Sequence, residues 1–310
     1  MVLAAAVQLA AQPGDITANL AACERLADEA GRAGADVIAL PEFFPTGIGF
    51  LPSLASAALP PDGAATELLT TLADRYTALV GGSFLCRDPD GHVRNAYLLA
   101  GPEGVIGRHD KDLPTMWENA FYIGGHDDGI IDTGAHRVGA AMCWELMRTQ
   151  TVRRLRGRVD LVMAGSGWWS VPAWKPRALF DRLERDNRAT AGRAAAEFSR
   201  YVGAPTVHAA HVGTLACPMP WLPATYRGRF EGSALITTAS GAIVAQRDPE
   251  DGEGIVLGEI TPGRRDVTLD TPAGFWLHRR GALPSAAWHY QRWHGRRWYQ
   301  RNVVSTPAAR

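Results

Sequence analysis

Short apolar runs alternate with amphipathic helical patterns along most of this chain. The runs at 2–9 and 35–42 are bounded by polar or turn-forming residues, which is typical of strands. Between them, apolar positions recur at helical spacing after Asp15, a residue type that commonly caps helices. A glycine closes this helical pattern. The opening of the chain therefore predicts a strand, a helix and a second strand.

The same alternation continues to about residue 210, and this order predicts an α/β sheet covered by helices. After that point the apolar runs follow one another between turn residues, as in a meander. No repeat of 20–50 residues is visible. We predict further helices at 64–77, 148–157 and 175–202, and further strands at 78–84, 93–99, 103–107, 136–143, 159–165, 204–213, 232–238, 241–246 and 254–260.

The composition indicates the class of protein and its cellular compartment. The chain of 310 residues is 46% apolar and 21% charged, which is typical of a globular protein with a sizeable core. Its four cysteines lie far apart without a C-x-x-C pair, which favours free thiols in a reducing compartment. The first apolar run lacks a preceding basic region, and no run approaches the ~20 residues of a membrane span. We expect a cytoplasmic protein that does not contact a membrane.

Three isolated functional groups stand just beyond predicted strands, where α/β proteins commonly assemble their sites. They are Glu42, Lys111 and Cys143. Taken singly, each has an ordinary alternative: a solvated loop carboxylate, a surface ion pair with Asp110 or Asp112, and a core thiol. Together they suffice for covalent hydrolysis of a carbon–nitrogen bond, because a thiol needs a base and the developing charge needs a cation.

The segments that carry these groups read "LPEFFPTG", "KDLPTMWE" and "CWE", and in this order they resemble the three signature blocks of the nitrilase superfamily of carbon–nitrogen hydrolases. The opening "AAAVQLAAQPGDITANL" and the later "RGRFEGSALITTASGAIVAQ" also resemble that family, so the likeness covers roughly residues 2–260. The resemblance implies a four-layer α-β-β-α sandwich. It also implies that Cys143 is the nucleophile, Glu42 the base and Lys111 the cation.

The resemblance implies two supporting residues as well. The backbone N–H of Trp144 is expected to help Lys111 hold the developing charge. Glu118 matches a second glutamate near the triad that orients Lys111 and the substrate, although an exposed glutamate at a helix start is an alternative.

The substrate class stays open between an amide and a nitrile. "KDLPT" and "CWE" resemble the nitrilase branch, but Leu146 stands where true nitrilases commonly have asparagine. No metal or organic cofactor is expected: the sequence has no phosphate-binding glycine pattern, and His208 and His211 of "HAAH" point to opposite faces of a strand.

Two tryptophans follow the strand after Cys143, so their loop is expected to face the same pocket. Trp168 and Trp169 are candidates for the wall of a substrate site, with core packing or a subunit contact as the alternative. Arg148 is expected either to pair with Glu145 or to meet a partner subunit.

The charge of the chain is unevenly distributed. The net charge is zero, but seven arginines and no acidic residue follow position 270. We divide the chain into a catalytic domain at 1–262 and a basic, aromatic C-terminal arm at 263–310. Such an arm packs either on its own domain or on a second subunit, and the resemblance favours a partner subunit of a homodimer or higher homo-oligomer. The alternative is a binding protein, catalytically weak or inactive, that holds an anionic partner through this tail; a nucleic acid is not the partner we expect.

Overall fold

The computed structural model describes residues 1–220, 223–278 and 281–304. No helix in these ranges is both long and apolar enough to cross a bilayer. The elements run in the order β1 (Val2–Leu9), α1 (Ile16–Arg32), β2 (Val37–Ala39), α2 (Ala64–Tyr76), β3 (Leu79–Arg87), β4 (Val93–Gly101), β5 (Gly104–Asp110), β6 (Ile130–Asp132), β7 (Arg137–Met142), α3 (Thr149–Leu155), β8 (Leu161–Ser166), α4 (Arg177–Val202), β9 (Thr206–Pro218), β10 (Thr225–Glu231), β11 (Ala234–Thr237), β12 (Ile243–Arg247), β13 (Gly254–Ile260) and α5 (Ala282–Asn302).

The first helix forms as its sequence predicts. The Asp15 carboxylate accepts a hydrogen bond from the Ala18 backbone N–H at 3.0 Å, which satisfies one of the free donors at the start of α1. Cys23, Leu26 and Ala30 recur on one face of α1 and are buried against the sheet. The helix therefore stays in place through one cap and one apolar stripe.

Parallel pairing dominates the middle of the sheet. Within the described residues the strand order along the sheet is β5-β4-β3-β2-β1-β9-β8-β7-β6. The strands from β3 through β2, β1, β9 and β8 to β7 run parallel, and antiparallel hairpins extend both ends. The last three strands form the expected meander only in part. β11 pairs antiparallel with β12, but β13 pairs antiparallel with β1, where β9 pairs only with the final two residues of β1 and leaves the rest of that edge open.

Alternating side chains build three apolar layers, and with them the four-layer sandwich. Ala5 and Val7 of β1 pack under α1 and α2, whereas Ala4 and Ala6 face the opposite half of the sheet. The pattern repeats on β8, where Val162 packs against α3 and α4 and its neighbours face inward. The order of layers is helix, sheet, sheet, helix, and the predicted fold class is confirmed.

Three elements were not predicted. β6 has only three residues, too few for a period, and β10 carries arginine at alternate positions of a partly exposed strand. The third, α5, lies in the basic tail. Its Tyr299 is buried, and the Tyr299 hydroxyl accepts a hydrogen bond from the Val93 backbone N–H at 3.0 Å.

The tail thus packs on the body of its own chain. Gly295 of α5 lies against the 3-10 helix Met116–Ala120, where a Cβ at Gly295 would stand 2.6 Å from Asn119 Cβ. Within the predicted arm at 263–310, residues 279–280 and 305–310 lie outside the described residues. A contact between this arm and a partner subunit stays a prediction.

Candidate active site

The candidate site forms at one edge of the sheet. β5 runs antiparallel to β4, which runs antiparallel to β3, so β5 points in the same direction as β2 and β7. Glu42, Lys111 and Cys143 follow these three strands, and all three side chains are buried. β5 and β7 lie near opposite ends of the strand order, but the sheet folds over so that β5 lies against β6, where a Cβ at Gly107 would meet Ile131. The carboxyl ends of the three strands therefore meet in one place.

Lys111 lies between two carboxylates. Its Nζ donates to Glu42 Oε1 at 2.8 Å and to Glu118 Oε2 at 2.8 Å, and all three residues are fully buried. Burial disfavours the ammonium, but the charges of Glu118 and Glu42 prevail and raise the pKa of Lys111 well above its usual value. Lys111 therefore remains a cation throughout the physiological range.

Glu42 is held by donors from three different segments. Besides Lys111, Asn95 Nδ2 donates to Oε1 at 2.9 Å and the Gly167 backbone N–H donates to Oε2 at 3.2 Å. Burial raises the pKa of Glu42 to about 7, with Lys111 opposing the shift and Glu118 adding to it. The carboxyl group can therefore accept and release a proton near neutral pH.

Cys143 stands at the turn from β7 into the 3-10 helix Cys143–Met147. Burial and the charge of Glu42 raise the pKa of the thiol well above its usual value, while Lys111 and a hydrogen bond from the Trp144 backbone lower it. The resting group is a neutral thiol, which needs a base before it can attack.

The backbone is strained around this site. Cys143 has a φ of 51°, Phe43 beside Glu42 has 54°, and Met116 near Glu118 has 47°. Side chains rarely adopt this left-handed region, and such outliers cluster at functional sites. Here they turn the chain sharply after β2 and β7.

Glu118 lies beside Lys111, as the resemblance implies. Its Oε2 accepts from the Thr115 backbone N–H at 2.9 Å and from the Tyr122 hydroxyl, in addition to Lys111. The exposed position considered as an alternative is not observed, because Glu118 is fully buried.

Trp168 and Trp169, the two candidates for the wall of a substrate site, pack against different neighbours. Trp168 is 6% exposed and shares an apolar cluster with Cys143 and Trp144, and its Nε1 donates to Asn187 Oδ1 at 2.9 Å. Trp169 stacks on Trp117 with ring centroids 4.3 Å apart. The segment between β8 and α4 therefore joins the apolar cluster that contains Cys143 and also contacts the 3-10 helix that carries Glu118.

Some site residues escape sequence reasoning. Asn95 interrupts the apolar run of β4, a visible signal, but its partner Glu42 is 53 residues away. Gly165 on β8 has no local signal at all. A Cβ there would lie 2.6 Å from the Glu42 backbone nitrogen, so only glycine allows the two chains to approach.

The histidines of "HAAH" have separate partners. His208 Nε2 lies 2.5 Å from Ser166 Oγ, and His211 Nε2 lies 2.6 Å from the carbonyl oxygen of Glu42. Burial lowers the pKa of both histidines to about 4, so both are neutral. His211 thus supports the backbone of Glu42. Among the described residues, no group of three or more ligand-type side chains could hold a metal ion.

Arg148 takes the first of its two expected roles. It is 2% exposed and lies beside Asp112 and, at 3.5 Å, Glu145. Its guanidinium therefore belongs to a buried charge cluster with Asp112 and Glu145, close to Cys143 in the chain.

Comparison with known proteins gives consistent results. A family model described as carbon-nitrogen hydrolase matches residues 3–268. Omega-amidase YafV of Yersinia enterocolitica is 32% identical over 159 residues, which cover 50% of this chain and 59% of that protein. A nitrilase of Pyrococcus abyssi is 30% identical over 186 residues, covering 58% of this chain and 69% of the relative. The chain thus spans less than two thirds of the YafV relative.

Solved structures share the fold. A mutant of the amidase from Nesterenkonia sp. AN1, which shows Michael addition of acrylamide at its active site cysteine, superposes with a TM-score of 0.64. It is 17% identical in sequence, and the match covers 84% of this chain and 93% of that one.

Proposed function

The chain belongs to the carbon-nitrogen hydrolase family, and from this premise we propose that it hydrolyses a carbon–nitrogen bond, other than a peptide bond, of a small-molecule amide or nitrile. Cys143 is the nucleophile, Glu42 the general base and acid, and Lys111 the cation that stabilises the developing charge. The observation that carries the proposal is the buried cluster in which Lys111 joins Glu42 and Glu118, together with a buried Cys143 at the turn that follows β7.

With an amide, the first half of the reaction forms a thioester. Glu42 takes the thiol proton as Cys143 Sγ attacks the carbonyl carbon, and negative charge develops on the carbonyl oxygen. Lys111 and the Trp144 backbone N–H stabilise that oxygen. Glu42 then returns the proton to the nitrogen, the carbon–nitrogen bond breaks, and ammonia or an amine leaves.

Water completes the cycle. Glu42 removes a proton from water as its oxygen attacks the thioester carbon, the carbon–sulfur bond breaks, and the proton returns to the sulfur. With a nitrile, the thiol adds across the triple bond to form a thioimidate, the proton going to nitrogen. One water then displaces ammonia to give the same thioester, which a second water cleaves.

Glu118 keeps Lys111 in place for both halves of the reaction. Its carboxylate accepts a second hydrogen bond from the Lys111 ammonium, while Thr115 and Tyr122 hold the carboxylate. Trp168 and Trp169 supply an apolar or aromatic wall for the substrate. The named relatives include both an omega-amidase and a nitrilase, so the proposal keeps both substrate classes.

Trapping the covalent adduct tests this proposal. The protein is offered a mixed panel of amides, carbamoyl compounds and nitriles, and mass spectrometry of the Cys143 peptide identifies the acyl group. Cys143→Ala should abolish hydrolysis and Cys143→Ser should nearly do so. Cys23→Ala is the matched control, because Cys23 is equally buried but lies on the inner face of α1, packed against the sheet. Full hydrolysis by Cys143→Ala contradicts the mechanism.

The cellular compartment and the oligomeric state are part of the same proposal. The four cysteines are all free and buried, which supports a reducing, cytoplasmic compartment. We further propose a homodimer or higher homo-oligomer in which the C-terminal arm reaches a partner subunit.

A second candidate function is supported by the exposed face of α5. An open groove of about 610 Å³ runs along this face, and Trp293 within it is 54% exposed. Among the described residues, none of its arginines has a carboxylate partner: Arg292, Arg296, Arg297 and Arg301. Such a face suits an anionic partner, and binding there would weaken steeply with salt.

A further inference from the structure

A buried charge cluster lies close to Cys143 in the chain. At its centre is Glu145, two residues after Cys143 and fully buried. Glu145 Oε2 accepts a hydrogen bond from the Met142 backbone N–H at 2.8 Å, and its Oε1 lies 3.4 Å from Arg154 Nη2. Glu145 follows Cys143 in the chain, and its side chain accepts a hydrogen bond from Met142, which precedes Cys143. The carboxylate therefore links the backbone on the two sides of Cys143.

His109, a residue of β5, contacts this carboxylate. His109 lies near the end of β5, two residues before Lys111, and its Nε2 is 3.0 Å from Glu145 Oε2. Its other ring nitrogen, Nδ1, meets the carboxylate of Asp127. One histidine thus connects the segment that carries the cation to the segment that carries the nucleophile.

Both ring nitrogens of His109 face carboxylates, and only the imidazolium can donate to both at once. Burial disfavours the charged ring, but Glu145 and Asp127 raise the pKa of His109 to about 10. The pKa of Glu145 lies well below its usual value, for although burial opposes ionisation, His109, Arg148 and Arg154 favour it. The contact is therefore a charged pair at neutral pH.

We propose that His109 is a positioning residue for the nucleophile. Its imidazolium holds Glu145 where that carboxylate accepts the Met142 N–H, and the hydrogen bond keeps Cys143 at its strained φ of 51°. The inference rests on the proposed function, since it assigns His109 to the reaction of Cys143. Without the imidazolium, the carboxylate loses its orientation and the turn relaxes toward a more common backbone conformation.

The variant His109→Gln tests this role. We expect kcat to fall about 10²-fold, the typical effect of misplacing a reacting group by about 1 Å, while KM changes little. Alkylation of Cys143 by iodoacetamide, followed on the Cys143 peptide by mass spectrometry, should slow as well. His109→Lys keeps a cation and should lose less than His109→Gln.

The control is His136→Gln, which removes a histidine next to β7, the strand that leads to Cys143, but outside the charge cluster. Its kcat and its alkylation rate should match those of the unmodified protein. Thermal unfolding of each variant shows whether it folds. Should His109→Gln fail to fold, Glu145→Gln tests the same path, because it keeps the side-chain shape and removes the charge that His109 orients.

A double variant shows whether His109 acts through Glu145. If it does, His109→Gln combined with Glu145→Gln loses no more activity than Glu145→Gln alone, within about twofold. Losses that multiply, or a His109→Gln variant with unchanged kcat and alkylation rate, overturn the inference. Failure to hydrolyse any amide or nitrile refutes the proposed function instead, and the alkylation rates still decide the role of His109.

Discussion

At the scale of single residues, the candidate site depends on an imbalance of buried charge. One ammonium, that of Lys111, is shared by the carboxylates of Glu42 and Glu118. Glu118 has two further donors, Thr115 and Tyr122, whereas Glu42 relies on a side-chain amide and a longer backbone hydrogen bond. A buried pair of carboxylates with a single cation favours uptake of a proton, and the raised pKa of Glu42 agrees with this.

The pH dependence of hydrolysis follows from this raised pKa. The base must be a carboxylate to take the thiol proton, so kcat/KM should rise with pH through about 7 and then level off. Rates measured from pH 5 to 9 on the substrate found by adduct trapping check this. Glu42→Gln should be inactive at every pH. A rate that is constant between pH 5.5 and 8 would show that Glu42 does not titrate in this range.

At the scale of elements, the site requires strands to approach more closely than side chains normally allow. β8 passes directly behind the segment that leaves β2, and Gly165 makes this possible because its missing Cβ would collide with Glu42 and Pro41 backbone atoms. The same crossing brings the Gly167 N–H to the Glu42 carboxylate. One backbone contact thus positions the proposed base.

Gly165→Ala should therefore impair both stability and activity. We expect a loss of about 1–3 kcal/mol in the free energy of unfolding, as for other overpacked cores, and a fall in kcat because Glu42 moves. Gly274→Ala is the matched control, since a Cβ there meets no atom within 4 Å and its φ needs no glycine. Its change should stay within about 0.5 kcal/mol. Urea unfolding and kcat measure both effects, and equal behaviour of the two variants contradicts the argument.

At the scale of the whole molecule, the basic C-terminal tail packs next to the candidate site. Trp298 of α5 packs edge-on against Phe50 and Phe121, next to the 3-10 helix that holds Glu118. The opposite face of α5 is basic and exposed, while the first 270 residues carry a net charge of −7. One face of α5 therefore packs on its own domain, and the other face can bind a partner.

Deletion of the residues after 272 separates the roles of the tail. Loss of α5 exposes Phe50 and Phe121, so solubility should fall, and the proposed arm predicts a smaller assembly mass by light scattering. If mass and solubility both stay unchanged, the arm proposal is wrong. Retention of the full chain on heparin resin that drops steeply with salt, and that is lost on deletion, would instead favour the anionic partner.

Much of the fold could be predicted from local pattern. The strand and helix periods, the Asp15 cap and the α/β order depend on residues near one another in the chain, and the observed elements follow them. The failures have two causes, one local and one long-range. β6 is shorter than a period, and the partner of β13 is chosen by an open edge of β1 rather than by its neighbour in sequence.

The candidate site, like the fold, could be predicted only in part from local sequence. The sequence by itself determined that a carboxylate, an amine and a thiol follow three strands, because residue type and strand pattern are local properties. Only the tertiary structure decided that Lys111 shares two carboxylates, that Asn95 reaches Glu42 and that His109 reaches Glu145. These contacts join segments far apart in the chain, and they exist only because the sheet brings the ends of β2, β5 and β7 to one buried edge, where each charge needs a partner.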